Sequence, residues 1–260
     1  MGPAICFLVV MMVAVMVPAG AAPVRVAVYT DGGAMEPYIT AAADVATSAG
    51  MTVERVKAAD IVAGALARAD VIVFPGGTGN GQARSLGESG AAAVVEFVAG
   101  GGGAIGICAG GYLLAEGYNA DTRRIELINA RLFDLDHWAR GTARVGIQPL
   151  GPGAPAGEIA IHFENAPIFE PGGLGERLPA YTALARFTTD PAGTPADRPS
   201  IVGQDAIIAA PHGRGRVVLF GPHPELTSGL APLLVGALRW AAGHGPADPD
   251  WNTVLALAEP

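Results

Sequence analysis

Short apolar runs, closed by glycine turns and separated by helix-forming stretches, dominate the first half of the chain. Val24 to Thr30 ends at Asp31-Gly32-Gly33, and Asp70 to Phe74 ends at Pro75-Gly76-Gly77. Ala104 to Ile107 runs into Cys108, and Thr52 to Val56 forms a further run. Met35 to Ala49, Ala59 to Ala69 and Ala91 to Ala99 have helical composition between them, with a polar, glycine-rich loop expected from Thr78 to Ser89. The runs at Asp70 and Ala104 lack the alternation of a half-exposed strand, so both of their faces must be covered. Strand–helix alternation with covered strands predicts an α/β domain: a mostly parallel sheet with helices on both faces.

After Glu116 the rhythm changes. Ile125 to Leu132, Ala143 to Leu150, Glu158 to Phe163 and Tyr181 to Phe187 are short and strand-like, separated by Pro and Gly. They predict a β-rich excursion, between Arg123 and Ile201, on the same domain. The α/β pattern resumes with a strand at Val217 to Phe220 and a closing helix at Leu230 to Ala242. A single domain over residues 23–245 is expected, with 246–260 a loosely held C-terminal tail.

The N-terminus has a different character. Ala4 to Val17 is an uncharged apolar run, Pro18 breaks it, and Ala19-Gly20-Ala21-Ala22 supplies small residues. Residues 1–22 read as a secretory signal peptide, although Met1-Gly2-Pro3 carries no Lys or Arg. The expected location is periplasmic or extracellular, with no membrane attachment after cleavage. Cys6 would leave with the signal, and Cys108 would then be the one thiol of the mature chain, unable to form an internal disulfide. No second Cys and no His pair at ligand spacing accompanies it, so no metal and no cofactor is expected. The net charge is −8 and Lys57 is the only lysine, which excludes a basic surface for nucleic acid.

Gly106-Ile107-Cys108-Ala109-Gly110-Gly111 lies between a buried strand and the helix-forming Tyr112-Leu113-Leu114-Ala115-Glu116. A nucleophile there sits on a sharp, strained turn whose neighbours must be small, and the helix N-terminus beside the sulfur favours a thiolate. His223-Pro224-Glu225 follows the strand at Val217. His223 can act as base toward the thiol, and Glu225 can orient the imidazole from its other nitrogen. Pro75-Gly76-Gly77 can aim backbone N–H groups at an oxyanion, together with the N–H of Ala109.

These three elements resemble the class I glutamine amidotransferase superfamily, a flavodoxin-like fold. Phe74-Pro75-Gly76-Gly77-Thr78, Gly106 to Tyr112 and Gly221-Pro222-His223-Pro224-Glu225 look most like the N-terminal domain of biotin-protein ligases and its stand-alone bacterial relatives. The resemblance spans about Val24 to Ala242. It implies Cys108 as nucleophile, His223 as base, Glu225 as orienter, and Gly77 and Ala109 as oxyanion donors.

With export and no visible acceptor domain, the expected function is a cysteine-dependent hydrolase of an amide or peptide bond. A non-catalytic module binding a small ligand or partner on the same fold is the alternative, and a glutaminase or amidotransferase subunit a further one. Asp31, Gly32, Gly76, Tyr112 and Asn165 are candidate substrate contacts. His162-Phe163-Glu164-Asn165 is a candidate rim, whereas His137-Trp138 and His212 have no evident partner. In an unliganded site the Cys108 sulfur should lie about 3 to 4 Å from His223, with positive φ at Cys108. A site capped by the excursion would favour a small substrate, and an open cleft a peptide.

Overall fold

The computed structural model describes residues 22–258. Five strands form a parallel half-sheet: β1 (Arg25–Tyr29), β2 (Thr52–Val56), β3 (Val71–Phe74), β4 (Gly103–Ile107) and, late in the chain, β11 (Gly215–Phe220). Their spatial order is β2-β1-β3-β4-β11, all neighbours parallel. Successive residues point to opposite faces. Val26, Val28, Val71, Val73, Ile105 and Ile107 join one apolar cluster, with helices α1 (Glu36–Ser48) and α5 (Ala231–Ala241). Ala27, Tyr29, Ile72, Phe74 and Ala104 join the other, with α2 (Ala58–Val62), α3 (Gly79–Ala99) and α4 (Ala109–Leu114). Helices therefore cover both faces, as the sequence predicts.

The sheet continues antiparallel. Between α4 and β11 lie β5 (Ala130–Leu132), β6 (Thr142–Pro149), β7 (Ile159–Glu164), β8 (Phe169–Pro171), β9 (Thr182–Phe187) and β10 (Asp205–His212). The order runs on from β11 as β10-β9-β6-β7, with β5 and β8 to one side. An isolated bridge between His162 and His223 brings β7 back to the end of β11, so the pairing path returns to its start. The excursion is thus one continuous sheet with the parallel half.

Several expectations are corrected. Thr78 to Ser89 is not a loop but the first part of α3, with Gln82, Ala83 and Leu86 buried. Its glycines permit close approach instead of turning: a Cβ on Gly79 would lie 2.8 Å from the Tyr112 Cβ, and one on Gly81 2.7 Å from the Gly33 Cα. The helix does break at Gly87, where φ is 59°. The single helix expected over Ala59 to Ala69 is divided by Gly64 at φ 91°, leaving a 3-10 turn over Ala65–Arg68. Only the last part of Ile125 to Leu132 is a strand; Ile125, Leu127 and Ile128 are buried under the α3–α4 layer. The eight-residue β10 has no counterpart among the expected elements.

The segment expected as a loose tail carries α6 (Trp251–Ala258), which packs on α5. The Trp251 side chain is 2% exposed, and its indole N–H donates to Leu184 O at 2.7 Å. The expected signal peptide lies almost wholly outside the described residues. No described helix is long and apolar enough to cross a membrane.

Candidate active site

Parallel pairing places the site. Phe220 of β11 stands opposite Ile107 of β4, and Cys108 N donates to Phe220 O at 2.9 Å. The residues that follow each strand, Cys108 and Gly221-Pro222-His223, therefore emerge side by side at the C-terminal edge, where open α/β sheets bind ligands. β3 flanks β4 on its other side and delivers Gly76 and Gly77 to the same edge.

Cys108 has φ 51° and ψ −103°, outside the comfortable regions for a residue with a Cβ. The chain must turn sharply here because α4 starts one residue later and packs against β3. A Cβ on Gly110 would lie only 2.1 Å from Phe74 O. The oxyanion candidates also hold close backbone positions. Gly77 has φ 139°, and a Cβ there would lie 2.1 Å from Gly33 O. Neither the Gly77 nor the Ala109 N–H is spent on a backbone acceptor in the turns and loops around the site.

His223 is wholly buried, and its Nδ1 lies 2.7 Å from Glu225 Oε1, whose side chain is 1% exposed. Pro224 opens a 3-10 turn over Pro224–Leu226 that carries Glu225 back under the ring. The histidine is fixed from several other directions. Its backbone N–H donates to His162 O at 2.9 Å, Thr227 Oγ1 donates to its carbonyl at 2.7 Å, and Tyr38 stacks on the ring at 5.0 Å. Burial is the largest influence on the imidazole and opposes its charge. Cys108 and Glu225 together outweigh it, and the His223 pKa is raised to about 10.

The Cys108 thiol and the His223 ring share no hydrogen bond among the described residues. Sγ donates to Glu164 O at 3.5 Å, and the buried His223 Nε2 has no hydrogen-bond partner. Loose nucleophile–base geometry is common in unliganded sites.

A cavity of about 510 Å³ opens over Cys108. Gly77, Tyr112 and Asn165 line it, as do Glu164 from the candidate rim and Trp138. β7 alternates, burying Ile161 and Phe163 and leaving His162 and Glu164 on the site face. Asn165 follows at φ 45°, and its carbonyl accepts the Tyr112 hydroxyl at 3.0 Å. Asp31, Gly32 and Gly76 do not line the cavity. The Asp31 carboxylate accepts the Gly32 and Ala58 N–H groups, tying β1 to α2, and Gly76 lies beneath the Tyr38 ring. His212 is buried, its Nδ1 2.9 Å from Leu127 O, and His137 pairs with Asp134. Tyr38, Asn80 and Tyr118 also reach the cavity, and no motif marks them in the sequence. Among the described residues no group of three or more His, Cys, Asp or Glu stands ready to hold a metal ion.

The fold and the cysteine elbow define a class I glutamine amidotransferase-like domain. More narrowly, the chain belongs to the family described as biotin-protein ligase, N terminal, whose sequence profile matches residues 24–234. Among solved structures it resembles a glutamine amidotransferase at 20% identity and TM-score 0.58, covering 84% of this chain and 98% of that one. A putative ThuA-like protein from Bacteroides uniformis is 14% identical with TM-score 0.53, over 92% and 99% of the two chains. A cytoplasmic protein from Salmonella typhimurium is 16% identical with TM-score 0.52, over 91% and 100%. At these identities the likeness is one of fold. Compared by sequence with curated proteins, the chain matches none significantly.

Proposed function

We propose that this protein is an exported cysteine-dependent hydrolase of a small amide, with Cys108, His223 and Glu225 as a catalytic triad. The observation that carries the proposal is the buried His223, held by Glu225 on one nitrogen and raised to about 10 beside the Cys108 thiol. An imidazolium at neutral pH is the counter-charge a thiolate requires.

In the proposed cycle the thiolate attacks the amide carbonyl, and the Gly77 and Ala109 N–H groups receive the developing oxyanion. The C–N bond then breaks, and the Nε2 proton passes to the leaving amine. Water attacks the resulting thioester as His223 takes its proton, the carboxylic acid leaves, and the thiolate is restored. A small substrate fits better than a folded polypeptide because Cys108 is 7% exposed and residues of the excursion wall the cavity.

Iodoacetamide at neutral pH tests the activated thiol. It should label Cys108 faster than a free cysteine peptide, and His223→Ala should abolish the advantage. Labelling no faster than the peptide, and indifferent to His223→Ala, would remove the triad. Export rests on Ala4 to Val17, and N-terminal sequencing of protein from the native cell should begin near Ala22 or Pro23.

The Sγ–H bond to Glu164 O favours a second reading, a binding module in which the thiol is a wall group. Cys108→Ser would then leave function intact, whereas the hydrolase loses it.

A further inference from the structure

The cavity over Cys108 has an unbalanced lining. Four aromatic side chains reach it: Tyr38, Tyr112, Tyr118 and Trp138. Among the described residues Glu164 is its one acidic lining residue, and neither Lys nor Arg contributes to the wall. The carboxylate is partly exposed, at 36%, so it can meet a ligand directly. It is also held in place, because Tyr38 Oη donates to Glu164 Oε2 at 2.8 Å. Burial first, then the Glu164 bond and charge, raises the Tyr38 pKa, which keeps the phenol a donor. His162 Nε2 lies 3.5 Å from the same oxygen. Arg140, whose field reaches Tyr112, lies outside the lining with its side chain fully buried and paired to Asp134. Trp138 also lines the cavity, with about half its surface open.

Aromatic faces and a fixed carboxylate are the two groups that recognise an organic cation, the rings through their quadrupole and the carboxylate through charge. We infer that the substrate of this site carries a positive charge, an ammonium or guanidinium group, seated between Glu164 and the aromatic wall of Trp138 and Tyr118. This names the substrate class for the hydrolase proposed above and rests on Cys108 lying at the cavity floor. The same lining disfavours free glutamine. Its α-carboxylate would enter the cavity with no Lys or Arg on the wall to meet it, with the buried His223 already paired to Glu225, and with Glu164 repelling it.

Methanethiosulfonates of opposite charge test this without any turnover. Each transfers its thioalkyl group to the Cys108 sulfur, forming a disulfide and releasing methanesulfinate. The trimethylammonium-ethyl reagent places a cation in the cavity, and the sulfonato-ethyl reagent an anion of similar size. Their rate ratio on the protein is divided by their ratio on a free cysteine peptide. The normalised cation preference should be about tenfold or more in the wild type, as charge focusing in a low-dielectric cleft provides. Glu164→Gln keeps the shape and the backbone carbonyl at residue 164, and should return the ratio most of the way to one. Trp138→Ala should lower it by a smaller factor. A wild-type ratio near or below one, or a ratio unmoved by Glu164→Gln, overturns the inference. Both reagents reacting slowly with their ratio preserved would instead count against the activated thiol alone.

Discussion

The parallel half of the sheet and its antiparallel excursion contribute to the site in opposite ways. β3, β4 and β11 deliver Gly77, Cys108 and His223 through backbone register, among glycines (Gly77, Gly106, Gly110) where a Cβ has no room. β7 and the turn before β6 deliver side chains, Glu164 and Trp138, that stand partly open to the cavity. Close packing tolerates little change, whereas exposed surface tolerates much. On the proposed reading, the reacting groups belong to the closely packed half, and the groups that would meet the rest of a ligand to the half freer to vary.

Several substitutions can break that division. The largest effect is expected at Cys108. Cys108→Ser should lower kcat of amide hydrolysis by at least about a thousandfold while the thermal midpoint stays close to wild type. Hydrolysis that survives this swap would move the chemistry elsewhere.

Two glycines, one from each region, give the next contrast. Gly110→Ala forces a Cβ to 2.1 Å from Phe74 O and should cost about 3 kcal/mol or more in urea unfolding. Gly157 in the β6–β7 connection has φ 88° with open space around it, so Gly157→Ala should cost only about 1 kcal/mol of left-handed strain. Equal losses would erase the contrast.

The pH dependence sharpens it further. His223 is raised from 6.5 to about 10 on folding, so the native state holds its proton more tightly than the unfolded chain. Its stabilisation is complete below about pH 6.5 and is lost as pH rises through about 10. Urea unfolding at pH 6 and pH 10 should show the wild type losing more stability over that interval than His223→Gln. The smallest effect on folding belongs to the excursion: Trp138→Ala at a half-exposed position should change unfolding free energy by less than about 0.5 kcal/mol. Its effect should appear in KM.

The same division governs what the sequence reveals. Each parallel strand announces itself as an apolar run closed by glycine, and the elbow and His-Pro-Glu triplet are local patterns. Cys108 is therefore found at its strained φ and Glu225 at the imidazole, as a linear reading expects. The adjacency of β4 and β11 is not local, since more than a hundred residues separate Ile107 from Phe220. β10 escapes notice because Pro211 and a run of alanines dilute its apolar pattern, although it lies in mid-sheet. Thr78 to Ser89 misleads because a glycine needed for close packing looks the same, in one dimension, as a glycine needed for a turn. Tyr38 and Glu164 lie far apart in sequence and meet only in the folded chain, through one side-chain hydrogen bond between α1 and β7. Asp31 shows the reverse: a polar residue at a strand end that serves the backbone and not the cavity.

The bridge between His162 and His223 has a kinetic consequence. It ties the wall strand directly to the loop that bears the histidine, and a continuous ladder through β6, β9 and β10 ties it again from behind. A wall anchored at both margins cannot swing as a hinged lid without breaking sheet hydrogen bonds. Ligand entry then depends on rotamer changes of exposed groups such as Trp138, on the picosecond-to-nanosecond scale, and not on slow domain closure. Occupied and empty forms should share one backbone, and the rate at which ligands enter should follow their diffusion.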